Sequence, residues 1–130
     1  MKQIFSLMIA VLACLAIPIS AANDNIEREQ VLTGKIGPYP IVMRLNLNAL
    51  EVESQVGCYT YNSMPNKPFK LVVKEFVAVN ASGSMRLVLH EFTSTGVHSG
   101  TFDGQYECRG DYYEGVFTKS KGKKFKFKLQ

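Results

Sequence analysis

The sequence predicts an all-β fold: one antiparallel meander of about eight strands, making a small closed or partly open β-barrel behind an N-terminal signal peptide. Three observations carry this. Apolar and polar residues alternate with period two through most of the chain after Asn25. Clusters of Gly, Asn, Ser and Pro interrupt that alternation at even spacing. No segment of the same region keeps a helical period for three turns. Closure into a barrel is favoured because it removes exposed strand edges.

The start of the chain has its own logic. Lys2 gives a positive beginning, Ile4 to Ile17 is an almost unbroken apolar run, and Ser20-Ala21-Ala22 supplies small residues. This is the layout of a secretory signal peptide, too short in its apolar run to read as a membrane span. Residues 1–22 are therefore expected to be removed, leaving a single domain over 23–130 that is exported to the periplasm or secreted. A minor alternative reads Val11-Leu12-Ala13-Cys14 as a lipoprotein processing site, with Cys14 lipidated.

The strands follow in order. Val31 to Ile36 reads as the first, and Gly37-Pro38-Tyr39-Pro40 as a turn. In the second, Ile41, Met43, Leu45 and Leu47 share one face. The third covers Val52 to Tyr61, with Val56, Cys58 and Thr60 on one face and Gly57, Tyr59 and Tyr61 on the other. Pro65 and Pro68 lack a donor N–H, so Ser63 to Pro68 is a loop. The fourth runs from Phe69 to Val77. In the fifth, Met85, Leu87 and Leu89 alternate with Arg86, Val88 and His90. His98 to Tyr106, Tyr112 to Lys119, and the segment containing Phe125, Phe127 and Leu129 complete the set. Gly57, Gly100, Gly104 and Gly115 fall inside strands, where they permit close backbone approach.

Certain runs carry a resemblance. Thr33-Gly34-Lys35-Ile36-Gly37-Pro38-Tyr39-Pro40-Ile41-Val42-Met43 is followed by Gly57-x-Tyr59-x-Tyr61, Gly100-Thr101-Phe102-x-Gly104 and Tyr113-Glu114-Gly115-Val116-Phe117. Together they resemble small secreted bacterial β-meander proteins of unassigned function. The resemblance implies the meander and brings no activity with it. Paired cysteines are not part of its pattern.

With Cys14 removed, Cys58 and Cys108 are the only pair left, and export favours a disulfide between them. The closed loop of about 50 residues would stabilise by roughly 3–4 kcal/mol.

Chemistry-bearing residues are sparse. His90 and Glu91 are neighbours on a strand and must face opposite ways, so they cannot chelate one ion together. His98 could meet His90 across the hairpin, but the spacing matches no metal motif. Asp103, Glu107, Asp111 and Glu114 share one hairpin and read as solvated strand-face acids. There is no nucleophile elbow and no phosphate-binding loop. No catalytic, cofactor-binding or metal-binding residue is expected, and the chain reads as a non-enzyme.

The charge pattern is the sharpest feature. The chain carries 15 Lys and Arg against 11 Asp and Glu, for a net charge of +4. Lys119, Lys121, Lys123, Lys124, Lys126 and Lys128 crowd the C-terminus with no acid among them. On a strand, Lys124, Lys126 and Lys128 form one cationic row suited to an anionic surface. The plainer role of such a row is to keep a strand soluble and block edge pairing. Tyr112 and Tyr113 are adjacent, so one of them should face outward and offer an aromatic contact.

These features point to an extracytoplasmic binding module whose partner is an anionic surface or a protein. Nucleic acid is disfavoured, because exported proteins rarely meet it. A competing expectation is an exported inhibitor or immunity factor against a hydrolase or toxin. A third, a carrier of a small apolar ligand, requires a hollow barrel.

Overall fold

The computed structural model describes residues 29–130, Ser82 excepted. The expected signal peptide, the start at Asn23 and Cys14 lie outside the described residues. Eight strands form a closed barrel in simple meander order. They are β1 (Glu29–Ile36), β2 (Tyr39–Asn46), β3 (Gln55–Tyr61), β4 (Phe69–Ala78), β5 (Ser84–Phe92), β6 (His98–Glu107), β7 (Tyr112–Lys119) and β8 (Lys124–Leu129). A short 3-10 turn (Leu47–Ala49) follows β2, with the Asn46 side chain accepting from the Asn48 amide at 2.9 Å. Among the described residues no helix is long and apolar enough to cross a membrane.

The seam that closes the barrel is antiparallel pairing of β1 with β8, where Gly34, Lys35 and Ile36 oppose Leu129, Lys128 and Phe127. Reciprocal backbone bonds between Thr33 and Gln130 (3.0 and 2.8 Å) and a Gly37–Lys126 bond (2.7 Å) extend it.

Alternation puts one row of each strand inside. Met43, Leu45, Leu71, Val73, Leu87, Leu89, Phe102, Phe117 and Leu129 are fully buried. Aromatic rings run down the axis in contact. Tyr59 meets Phe102 at 5.3 Å, Phe102 meets Phe127 at 5.1 Å, and Phe127 meets Tyr113 at 4.8 Å between centroids. Tyr113 then meets Tyr106 at 5.8 Å. Each such pair adds about 0.5–1.5 kcal/mol beyond its burial. The barrel is filled by its own side chains, which removes the hollow interior that a carrier needs.

Glycine makes room for these rings. Gly104 and Gly115 oppose one another, and Gly115 opposes Phe127. A Cβ on Gly104 would come within 2.7 Å of the Phe127 ring, and one on Gly115 would strike the Asp103 and Gly104 backbone.

Several details differ from the sequence reading. Tyr39 and Pro40 belong to β2 rather than to the turn, because Pro40 needs only its carbonyl, which accepts from the Asn62 amide at 3.0 Å. The third strand begins at Gln55, not Val52, since Glu53 takes a positive φ of 73°. A bulge between Gln55 and Gly57 shifts the phase of β3, so Val56 and Tyr59 are both buried. Val56 therefore does not share a face with Cys58.

The Cys58–Cys108 disulfide is not formed: Cys58 is a free cysteine. It lies on the outer face of β3 between the exposed Arg44 and Lys70. Cys108 is buried just beyond β6 as part of the core. Two strands, β4 and β5, separate them around the barrel. Closure, rather than this bridge, joins the early and late parts of the sheet.

Candidate functional site

Where the lysines go is decided by β8 and its neighbours. Phe125, Phe127 and Leu129 turn inward, so Lys124, Lys126 and Lys128 stand outward and exposed. On β7 they face Thr118, Val116 and Glu114 in turn. Gly122, with φ of 93°, tightens the β7–β8 turn, and Lys119 and Lys123 are joined by a 2.8 Å backbone bond. Lys119, Lys121 and Lys123 therefore sit at the end of the barrel. The Lys123 ammonium lies 5.7 Å from the Phe125 ring centroid.

The six lysines are thus two groups. Lys126 and Lys128 line a concavity of about 1020 Å³ in the outer wall, and Lys35 of β1 joins them there. Across the concavity stand Arg86, Asp103 and Gln105, while Glu114 of β7 lies between them and the lysines, opposite Lys128. The turn lysines and Lys124 lie outside it.

Charges on the two sides are treated differently. Arg86 binds both oxygens of Asp103, at 3.1 and 2.8 Å, and approaches Glu75 at 3.5 Å. Those bonds hold its guanidinium pKa above the ordinary value. Lys74 pairs with Glu53 at 3.2 Å and Arg44 with Glu29 at 3.6 Å. Among the described residues, neither Lys35 nor any of the six C-terminal lysines has a carboxylate within 4.0 Å. Instead Lys128 is set directly opposite Lys35 in the seam. Like charges in that position repel.

Tyr112 faces out beside the concavity, and its hydroxyl donates to Glu114 at 2.7 Å. That bond raises the phenol's pKa. The Lys128 ammonium lies 5.8 Å from its ring centroid. Tyr113 cannot offer a contact. It is fully buried, and its hydroxyl donates to the Leu87 carbonyl at 2.7 Å. Burial, then the nearby Asp103 charge, pushes its pKa well up. The assignment was readable: Tyr112 shares a row with Glu114, while Tyr113 shares one with Gly115 and Phe117.

A second polar cluster lies inside one mouth of the barrel. Glu91 is 3% exposed. It accepts from the Tyr59 hydroxyl and, at 2.5 Å, from Ser99 Oγ. The Tyr61 hydroxyl sits 3.5 Å from that of Tyr59. Burial, then the Glu91 charge, drives the Tyr59 pKa far up, so it remains a proton donor. Tyr61 is raised as well, mainly by burial. Satisfied on both oxygens, this carboxylate locks the mouth. The sequence reading overlooked it, although Glu91 continues the core row of Leu87 and Leu89.

His90 and His98 do meet outside the barrel, stacked with centroids 4.2 Å apart. A bulge between Glu91 and Phe92 brings them together, since the register itself opposes His90 to Thr101. His98 Nε2 bonds the Gly100 carbonyl at 2.9 Å. Among the described residues no three His, Cys, Asp or Glu side chains are placed to hold a metal ion. The hairpin acids are also engaged: Glu107 accepts from Ser84 Oγ at 2.5 Å, and Asp111 from the Tyr106 hydroxyl at 3.0 Å.

Comparison with protein-family models, curated proteins and solved structures finds no match. The functional reading therefore rests on geometry alone.

Proposed function

We propose that the protein is an extracytoplasmic, non-enzymatic binding module that engages an anionic partner through the basic face centred on β8. One observation carries this: the seam places Lys35 opposite Lys128 with no carboxylate, among the described residues, close enough to pair with either. The Lys35–Lys128 contact is repulsive and Glu114 of β7, opposite Lys128, does not come within ion-pair distance of it, so a bridging anion would relieve the repulsion. A row kept only for solubility has no need of a second lysine from another strand. Export to the periplasm or outside the cell follows from the signal-peptide reading.

The test uses exported protein, whose N-terminal sequence should start at Asn23. It is loaded on immobilised heparin at low salt and eluted with a salt gradient. Wild type should be retained. Lys124→Gln/Lys126→Gln/Lys128→Gln should elute much earlier while keeping its fold. On anionic vesicles the same change should cost about 1 kcal/mol per lysine. Wild type that passes heparin and anionic vesicles without retention would remove this reading.

A further inference from the structure

We propose that the concavity in the outer wall seats an acidic glycan chain, one of whose acid groups bridges Lys35 and Lys128 across the closing seam. The inference rests on the anionic-partner reading and names the partner's class.

The shape comes first. The outer wall of a barrel is expected to be convex, yet this stretch holds about 1020 Å³. Gly104, Gly115 and Phe127, in register, lie along it. All three turn their side-chain positions toward the core, so they present strand backbone to the outside. The volume reaches the upper end of the ordinary range for ligand pockets, which suits an oligomer of several small rings.

The chemistry comes second. One side offers Lys35, Lys126 and Lys128. Alternate residues of a strand are about 6.6–6.8 Å apart, so Lys126 and Lys128 can meet acid groups on successive units of a chain. The other side offers the exposed Gln105 amide of β6, and the exposed Glu114 carboxylate of β7 lies between the two sides, opposite Lys128. Asp103 is held by Arg86 and keeps its place. Between the two sides, Tyr112 and the 39%-exposed Val116 give apolar contact. A chain bearing hydroxyls, apolar ring faces and intermittent negative charge complements all three features. A lipid surface complements only the first, because the wall recedes from a plane.

The experiment measures affinities of the full exported chain by calorimetry for hexagalacturonate, a heparin hexasaccharide, a neutral dextran oligomer, and phosphatidylglycerol/phosphatidylcholine vesicles. Wild type should bind at least one acidic hexamer, ignore dextran, and show a ligand-induced rise in Tm. Lys35→Gln/Lys128→Gln should weaken the hexamer at least tenfold and abolish the Tm rise. Lys119→Gln/Lys121→Gln, at the turn outside the concavity, should change it less than twofold. Gln105→Ala should weaken the glycan several-fold. The unliganded melting curves of all variants check the fold independently. Vesicle binding without hexamer binding, or equal losses from the turn and seam variants, would overturn the glycan seat and leave the anionic-partner reading standing. Wild type that binds none of the charged probes would end both.

Discussion

Neighbouring residues on one strand live in opposite environments. Glu91 points into the mouth of the barrel, and His90 points out to stack on His98. Period-two geometry requires that separation, and it was legible without coordinates. The partners were not. Tyr59 comes from β3 and Ser99 from β6, so a carboxylate on the core row could not be recognised in advance as a satisfied one. His90 leads to a pH prediction. Partial burial, then the His98 charge and then Lys74 lower its pKa from the usual value, with Glu53 opposing them weakly. The unfolded chain, with histidine near 6.5, then binds more protons than the folded one just below that value. Stability should therefore begin to fall as pH drops below about 6.5, and this contribution should level off once pH passes the lowered folded pKa. Urea midpoints measured between pH 7.5 and 5 should decline more steeply for wild type than for His90→Gln. Parallel profiles would show that the stack carries no proton linkage.

At the scale of strands, the interior is set by where side chains are missing. Gly104 gives Phe127 its space, Gly115 lets the β6 backbone come close, and Gly100 lies under the Phe117 ring. Gly115→Ala would press a methyl group on backbone rather than on a flexible side chain. It should destabilise by about 1–3 kcal/mol, as overpacking does. Gly110→Ala is the contrast: a Cβ there would meet no atom within 4 Å. It should shift stability by less than about 0.5 kcal/mol. Chemical denaturation of both variants checks the pair, and equal effects would disprove the packing account. The in-strand glycines marked these close approaches in the sequence, though not which rings would use them. The β3 bulge shows the same limit, since one extra residue reverses the face of everything on one side of it. Alternation placed Val56 beside Cys58, and the bulge placed it in the core with Tyr59.

At the scale of the whole molecule, closure creates what the strands lack singly. It brings the first strand against the last and sets Lys35 beside Lys128. If that juxtaposition is kept for ligand binding at some expense of stability, reversing one charge should separate the two. Lys35→Glu should stabilise the free protein by about 0.2–1 kcal/mol, by turning a repulsive cross-strand pair into an attractive one. The same change should weaken retention on heparin. Thermal melts and salt elution of one sample measure both. A variant that loses stability while binding unchanged would contradict the seam as the anion's seat.

The sequence alone determined that the chain is a β-meander, where most strands begin and end, and that Lys124, Lys126 and Lys128 face outward. Those are local matters, fixed by period-two alternation and turn chemistry within a few residues. The tertiary structure decided that Cys58 stays free, that Glu91 is satisfied, and that Lys126 and Lys128 share a concavity with Lys35 while the turn lysines do not. Each of these depends on which residues of different strands become neighbours. Register, bulges and barrel closure set those neighbours, and none of the three is written in the alternation of a single strand.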